Sequence, residues 1–376
     1  MIESRLKDIT SLYEQRRQLL ENVDKPKIGW LSISTPEEII YAAGMIPYRI
    51  TGETRPNFPK ASASMHRNLC PYVLSCYEEA LDGVHAFASG AVIVNACDTR
   101  RRLYDVWKYH EQSKFLHMLD LPKVVNPDSK RYFKMQLKQL VAAMEKHFQC
   151  RITDDSLHEA IRFCNETRTL LGELYELRKK GTARISGSQA IRLVKTGMAG
   201  LREEFNQRLS RLLSAIKDNP SCDAEKKYRV LLCGSYFDLT NITEIYEAYG
   251  AEIVCEDVST GIKYFEGQVD EKGDPLEALA DHYLEKATCA RMADSEKRFK
   301  HLEDLVEQYA VQSVLYFTLK FCDNNLLDYP FIRKKFNERG IPVFFIEGER
   351  SIENIEQVKT RLLAFLESQM GYMHAV

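Results

Sequence analysis

Cysteine carries the chemistry that this sequence offers. There are ten, and no two stand in a C-x-x-C pair, so zinc ribbons, thioredoxin-type exchange and ferredoxin-type cluster runs lack the spacing they need. Other familiar sites are also missing. The chain has no G-x-x-x-x-G-K-S/T, no G-x-G-x-x-G after a strand and no H-E-x-x-H, because His158-Glu159 is followed by Ala-Ile-Arg. Thiols that bind metal here must therefore converge from distant positions. Three stand where convergence is feasible: Cys97 follows an apolar run at 91–95, Cys322 follows one at 313–317, and Cys70 directly precedes Pro71. Each then lies at the start of an expected helix. The crevice outside the carboxyl ends of parallel strands is where α/β proteins bind ligands. A thiol there should have a lowered pKa, and the free helix-start N–H groups can bond to cluster sulfides and offset their charge. Three such thiolates suit a [4Fe-4S] cluster with one iron open to substrate. Packing is the alternative, since free cysteine is among the most buried residue types. Cys233 and Cys255 also end apolar runs, so location alone selects no unique trio. Cys76, Cys150, Cys164 and Cys222 read as packing, and Cys289 is assigned to neither group.

The elements that position these thiols follow from periodicity. Residues 3–21 have helical spacing. Thr35-Pro36-Glu37-Glu38 offers an N-cap, a proline at the first helical position and first-turn carboxylates, opening a short helix that ends near Gly44. A strand over 45–50, a helix over 71–81, a buried strand over 91–95, a helix over 99–108 and a strand over 115–119 follow. From 129 to 217 the pattern is helical, with Ile185-Ser186-Gly187-Ser188 interrupting it and the serines capping a helix over 189–216. Alternation resumes with strands over 229–233, 252–255, 313–317 and 342–346. Helices are expected over 240–249, 275–284, 295–309, 328–339 and 355–368. Short apolar strands alternating with helices indicate parallel sheets covered on both faces. The fold class is α/β: two doubly wound parallel-sheet domains, over 1–128 and 221–376, with a helical segment over 129–220 between them.

Length and composition agree. A chain of 376 residues suggests more than one domain, and 44% hydrophobic residues with a net charge of −2 describe an ordinary globular protein. The balanced charge speaks against a nucleic-acid surface. The charged N-terminus lacks a signal-peptide stretch, and the uncharged run 86–97 is too short to span a bilayer. The expectation is a cytoplasmic protein with reduced thiols and no membrane partner.

Several longer segments carry a family resemblance. PEEIIYAAGMIPYRITG, HRNLCPYVLSCYEEAL, GAVIVNACDTRRRLYDVW, ISGSQAIRLVKTG and LYFTLKFCDNNLLDYPFIRKKFNERGIPVFFIEGE resemble the 2-hydroxyacyl-CoA dehydratase family, which also includes benzoyl-CoA reductase subunits and double-cubane cluster proteins. The order NLCP, then ACD with a basic cluster, then KFCD is specific in context. The resemblance implies that Cys70, Cys97 and Cys322 hold a [4Fe-4S] cluster between two α/β domains. It implies radical removal of water from an (R)-2-hydroxyacyl-CoA, in which one electron delivered to the thioester carbonyl expels the C2 hydroxyl and acidifies C3. It further implies a homologous second subunit and a separate ATP-hydrolysing activator, a division of labour that fits the missing P-loop. The chain resembles the smaller subunit type, whose cluster is a candidate electron relay. A double-cubane protein that reduces small molecules without CoA is the alternative. Cys233 and Cys289 would then join a larger cluster, although Thr288-Cys289-Ala290 lacks the paired cysteines expected there. Arg100, Arg101 and Arg102 are candidates for CoA phosphates or an activator surface, or form a solvated helix face. Glu38 lies in the segment that the resemblance places near the active site, or compensates helix charge. His66 is a candidate donor to sulfide or substrate, or an exposed loop histidine.

Overall fold

The computed structural model describes residues 2–52, 57–220, 227–286, 289–349 and 355–373. Two four-stranded parallel sheets form the scaffold. The first contains β1 (Lys27–Trp30), β2 (Ile46–Arg49), β3 (Gly90–Asn95) and β4 (Phe115–Asp120), in the order β2-β1-β3-β4. The second contains β5 (Tyr228–Gly234), β6 (Ala251–Asp257), β7 (Ser313–Leu319) and β8 (Val343–Gly348), in the order β6-β5-β7-β8. The α/β expectation is thus borne out, and both sheets wind with the same topology. In each, the chain leaves the first strand toward one edge and returns on its other side. The switch points therefore lie between β1 and β3, and between β5 and β7, where ligands bind in such sheets.

Strands β3 and β7 are short apolar runs shielded on both faces; β7 is buried at all seven positions. Strand β1 carries no comparable signal, with only Lys-Ile-Gly-Trp, yet it pairs with both β2 and β3. A Cβ at Gly29 would come within 2.6 Å of the Ile50 side chain, which would have to shift to admit it. The expected helix over 189–216 is two helices, Gly187–Gly197 and Arg202–Asp218. Gly200 between them adopts φ +90°, and the Met198 carbonyl accepts the Arg49 N–H at 3.0 Å, which docks the break against the end of β2. The predicted serine cap holds: Ser186 and Gln189 exchange bonds in a capping box. Near residue 36 the helix starts one position late, at Glu37, with Pro36 as its N-cap and no bond from Thr35.

Two helices pack away from their own half of the sequence. Ile2–Glu14 places Leu6, Ile9 and Leu12 against Leu193, Phe205 and Leu209. Pro275–Glu285 lays Leu279, Ala280 and Tyr283 beside Phe133, Leu137 and Met144, completing the layer over the first sheet. Among the described residues no helix is long and apolar enough to cross a membrane.

The end of β5 is tied closely to β7. Ser235 donates its N–H to the Phe317 carbonyl at 3.0 Å and its Oγ accepts the Leu319 N–H at 2.9 Å. Gly234 permits this with φ +129°, where a Cβ would stand 1.9 Å from the Phe317 carbonyl oxygen. Gly234→Ala should lower unfolding stability by about 3 kcal/mol or more. Urea denaturation checks this, and an unchanged midpoint would contradict the close approach.

Candidate functional site

The carboxyl ends of the two sheets face a common cavity of about 310 Å³. The first sheet contributes Ser32 and Ser34 after β1 and Cys97 after β3; the second contributes Ser235 after β5 and Cys322 after β7. Cys70 completes the wall. Contacts across the joint hold the two sides together. Tyr72 stacks on Tyr236 with centroids 4.1 Å apart, buried Arg49 donates to the Ser259 carbonyl at 2.7 Å, and the same guanidinium lies over Tyr236.

Each of the three thiols occupies an N-cap position: Cys70 for Pro71–Leu81, Cys97 for Asp98–Tyr109 and Cys322 for Asp323–Glu338. The last helix begins five residues earlier than the sequence suggests, because Pro330 lies in its interior rather than its first turn. None of the three helices has a side-chain cap, so no N-cap hydroxyl or carboxylate claims their first-turn N–H groups. Asn325 donates its side-chain amide to Cys322 Sγ at 3.2 Å.

The lowered thiol pKa expected at helix starts is overturned for two of these cysteines. Burial pushes the Cys70 thiol up, and Cys322 and Cys97 beside it push it further, against the N–H groups of Val73 and Tyr72. Burial likewise raises Cys322, with Cys97 and Cys289 adding to the effect and Asn325 opposing it. Desolvation and like charge outweigh the helix ends. All three thiols line the same cavity. Cys289 lines the same cavity and behaves otherwise: burial raises it, but Lys263 and Arg291 outweigh that and hold it below the ordinary thiol value.

The other candidates separate. Arg100 lines the cavity, whereas Arg101 is exposed and donates to Asn95, and Arg102 pairs with Asp105 in solvent. His66 is exposed, and its Nδ1 accepts the Asn68 N–H at 3.1 Å. Glu38 is fully buried away from the cavity wall, 2.5 Å from the Arg168 guanidinium, and accepts from the Tyr283 hydroxyl at 2.9 Å. Cys233 and Cys255 are buried in the second sheet's core with Cys233 facing Arg298 and Asp257, and Cys76 and Cys164 are also buried. Cys150 is half-buried outside the cavity, and Cys222 lies outside the described residues. Reading the sequence missed Ser32 and Ser34, because β1 went unrecognised, and Lys263 and Arg291, which no motif marks.

Facing switch points that share a thiol-lined, cation-bearing cavity define a two-sheet α/β protein with a candidate ligand site between the sheets. The chain belongs to the 2-hydroxyglutaryl-CoA dehydratase D-component family, whose model matches residues 32–369. It is 27% identical over 351 residues to the (R)-phenyllactyl-CoA dehydratase beta subunit of Clostridium sporogenes, covering 93% of each chain. It is similar also to one of the benzoyl-CoA reductase subunits of Thauera aromatica, at 26% identity over 91% of this chain and 90% of that one. The beta subunit of (R)-2-hydroxyglutaryl-CoA dehydratase from Acidaminococcus fermentans is 24% identical over 92% of each.

Glu38 is held ionised: burial would raise its pKa, but Arg168 and Tyr283 hold it below the usual carboxylate value. Its pair therefore stabilises the fold above the unfolded carboxylate pKa and loses that contribution as pH falls through the lower folded value. Glu38→Gln should cost about 3–5 kcal/mol at neutral pH by stranding the Arg168 charge, and Glu38→Gln with Arg168→Met should recover part of it. Thermal and urea unfolding of the single and double variants read this out. A Glu38→Gln protein of unchanged stability would contradict a stranded Arg168 charge.

Proposed function

We propose that this chain is the iron–sulfur subunit of a radical (R)-2-hydroxyacyl-CoA dehydratase, with Cys70, Cys97 and Cys322 holding a [4Fe-4S] cluster. The observation that carries the reading is the meeting of three helix-start thiols, more than 250 residues apart at the extremes, in one cavity. The donor set fits the group. Among the described residues no three Cys, His, Asp or Glu side chains gather closely enough for a single metal ion; thiols ringing a cavity suit a group with several metal atoms. Two half-buried thiols with raised pKa values favour a partner that supplies positive charge and takes their protons' place.

When bound, such a cluster supplies one-electron chemistry at low potential. The chain's own residues do the rest. Helix-start N–H groups and Asn325 direct donors at sulfur, which offsets negative charge where water is scarce. Arg100, half-buried on the cavity wall, is placed to meet an anionic group at its mouth. Tyr72 and Tyr236 close the inner side against water. The electron goes to the acyl-CoA thioester or to a homologous partner chain, and an ATP-dependent activator supplies it. The relatives are named as beta subunits of dehydratases and as a subunit of a reductase, which supports an assembly with a second chain. Cys233 is buried in the second sheet's core and does not line the cavity, which favours a single cubane over the double-cubane alternative.

Protein prepared without oxygen should be brown, with about four iron and four sulfide per chain. Cys97→Ser should lower iron content or make the cluster labile to oxygen while the fold survives. Cys164→Ala should leave iron unchanged and cost at most about 1–2 kcal/mol. Iron per chain and thermal melting of both variants distinguish ligand from packing thiol; equal iron loss in both would contradict the assignment, and colourless, iron-free protein after anaerobic reconstitution would refute it. Co-expression with a homologous subunit should give a complex of one copy of each, and a homodimer active alone would count against the relay role.

A further inference from the structure

Cys289 is the fourth thiol of the cavity, and it reaches the site by a different route. It belongs to no helix start. It lies in the loop between helices Pro275–Glu285 and Ser295–Gln308, and three hydrogen bonds fix that loop. Met292 donates its N–H to the Cys289 carbonyl at 2.9 Å, closing a turn. Ala293 donates its N–H to the Lys123 carbonyl at 2.8 Å, and Arg291 Nη2 donates to Ser34 Oγ at 3.1 Å. The last two anchors belong to the first sheet's loops, after β4 and β1. The loop is thereby pulled across from the second half of the chain onto the wall that carries Cys97.

Resting on the cluster reading above, we infer that Cys289 supplies a fourth thiolate to the cluster held by Cys70, Cys97 and Cys322, so that no iron stays open to substrate and the cluster in this chain relays electrons. The step balances simply. One sulfur–iron bond forms, the thiol proton passes to solvent, and the water or small ligand that would complete that iron is released, with no electron transferred. Four thiolates bring one more negative charge than three. Lys263 and Arg291 line the cavity together with Cys289, so the compensating charge is built into the same wall. A packing role accounts for none of this, since a core thiol needs neither two cations nor a place on the cavity wall.

The test compares the reconstituted full chain with Cys289→Ala and Cys289→Ser, read by iron content and electron paramagnetic resonance before and after mild ferricyanide oxidation. A cubane with four protein thiolates should keep its fourth iron, whereas both variants should lose it and show a three-iron signal several-fold stronger than the unaltered chain. Alkylation of the unaltered chain by iodoacetamide, followed by mass spectrometry, needs no variant. Cys289 should react at least about tenfold more slowly in loaded than in iron-free protein, because a metal-bound thiolate is withdrawn from reaction. Equal three-iron signals in all three proteins, or equal alkylation of Cys289 in loaded and iron-free chains, would overturn the fourth ligand while leaving the three-cysteine cluster intact. Failure of the unaltered chain to bind iron would overturn both readings.

Discussion

Two parallel sheets aim their carboxyl ends at one another, and most of the molecule's features follow from that constraint. Each parallel strand delivers the chain to its far end, where the next helix must begin, so helix N-termini collect on that side. Turning two such ends toward one cavity concentrates partial positive charge and free N–H groups in a small volume. Carboxylates could cap them, but the three helix starts at this cavity carry cysteine instead and have no side-chain cap. The arrangement is held by contacts that cross the joint, the Tyr72–Tyr236 stack and the Arg49 bridge to Ser259, and by the close approach of β5 to β7 at Gly234. Burial and neighbouring sulfur raise the thiol pKa of Cys70 and Cys322, while Arg100, Lys263 and Arg291 supply positive charge on the same walls.

Behind the cavity a set of buried ion pairs joins the helical segment to both sheets. Glu37 meets Arg202, Glu38 meets Arg168, Glu256 meets Arg178 and Tyr175, and Asp257 meets Lys263 at 2.9 Å and Arg298 at 3.1 Å. Most of them link segments distant in sequence. Such pairs add little net stability over apolar packing, yet removing one partner strands a charge in a low dielectric. Lys263 sits at both levels, paired with Asp257 below and facing the cavity beside Cys289 above.

What could be read from sequence divides along physical lines. Strands β3 and β7 were legible because burial on both faces demands uninterrupted apolar runs, and Cys97 and Cys322 followed because each stands just past such a run. Strand β1 was not legible. Its four residues, Lys-Ile-Gly-Trp, are too few and too mixed to make an apolar run. The position of Cys289 was hidden for another reason. It depends on the helix Pro275–Glu285 crossing to the first sheet, a tertiary choice that periodicity does not encode. Glu38 looked like helix-end charge compensation from its first-turn position, whereas a guanidinium 130 residues away decides its environment. The raised thiol pKa values were illegible because sequence shows the helix start but not the proximity of the other two sulfurs.

The crossing of that helix bears on how the protein is made. A ribosome releases the first sheet and its covering helix Pro127–Phe148 long before Leu279 and Tyr283 emerge. Until then, part of the first sheet's outer layer has no lid, and the leading helix Ile2–Glu14 waits for Leu193 and Phe205 in the same way. Neither half can finish folding as an independent unit during synthesis. The cavity is complete only once the chain has been translated past Asn325, so a nascent or truncated chain presents incomplete thiol walls.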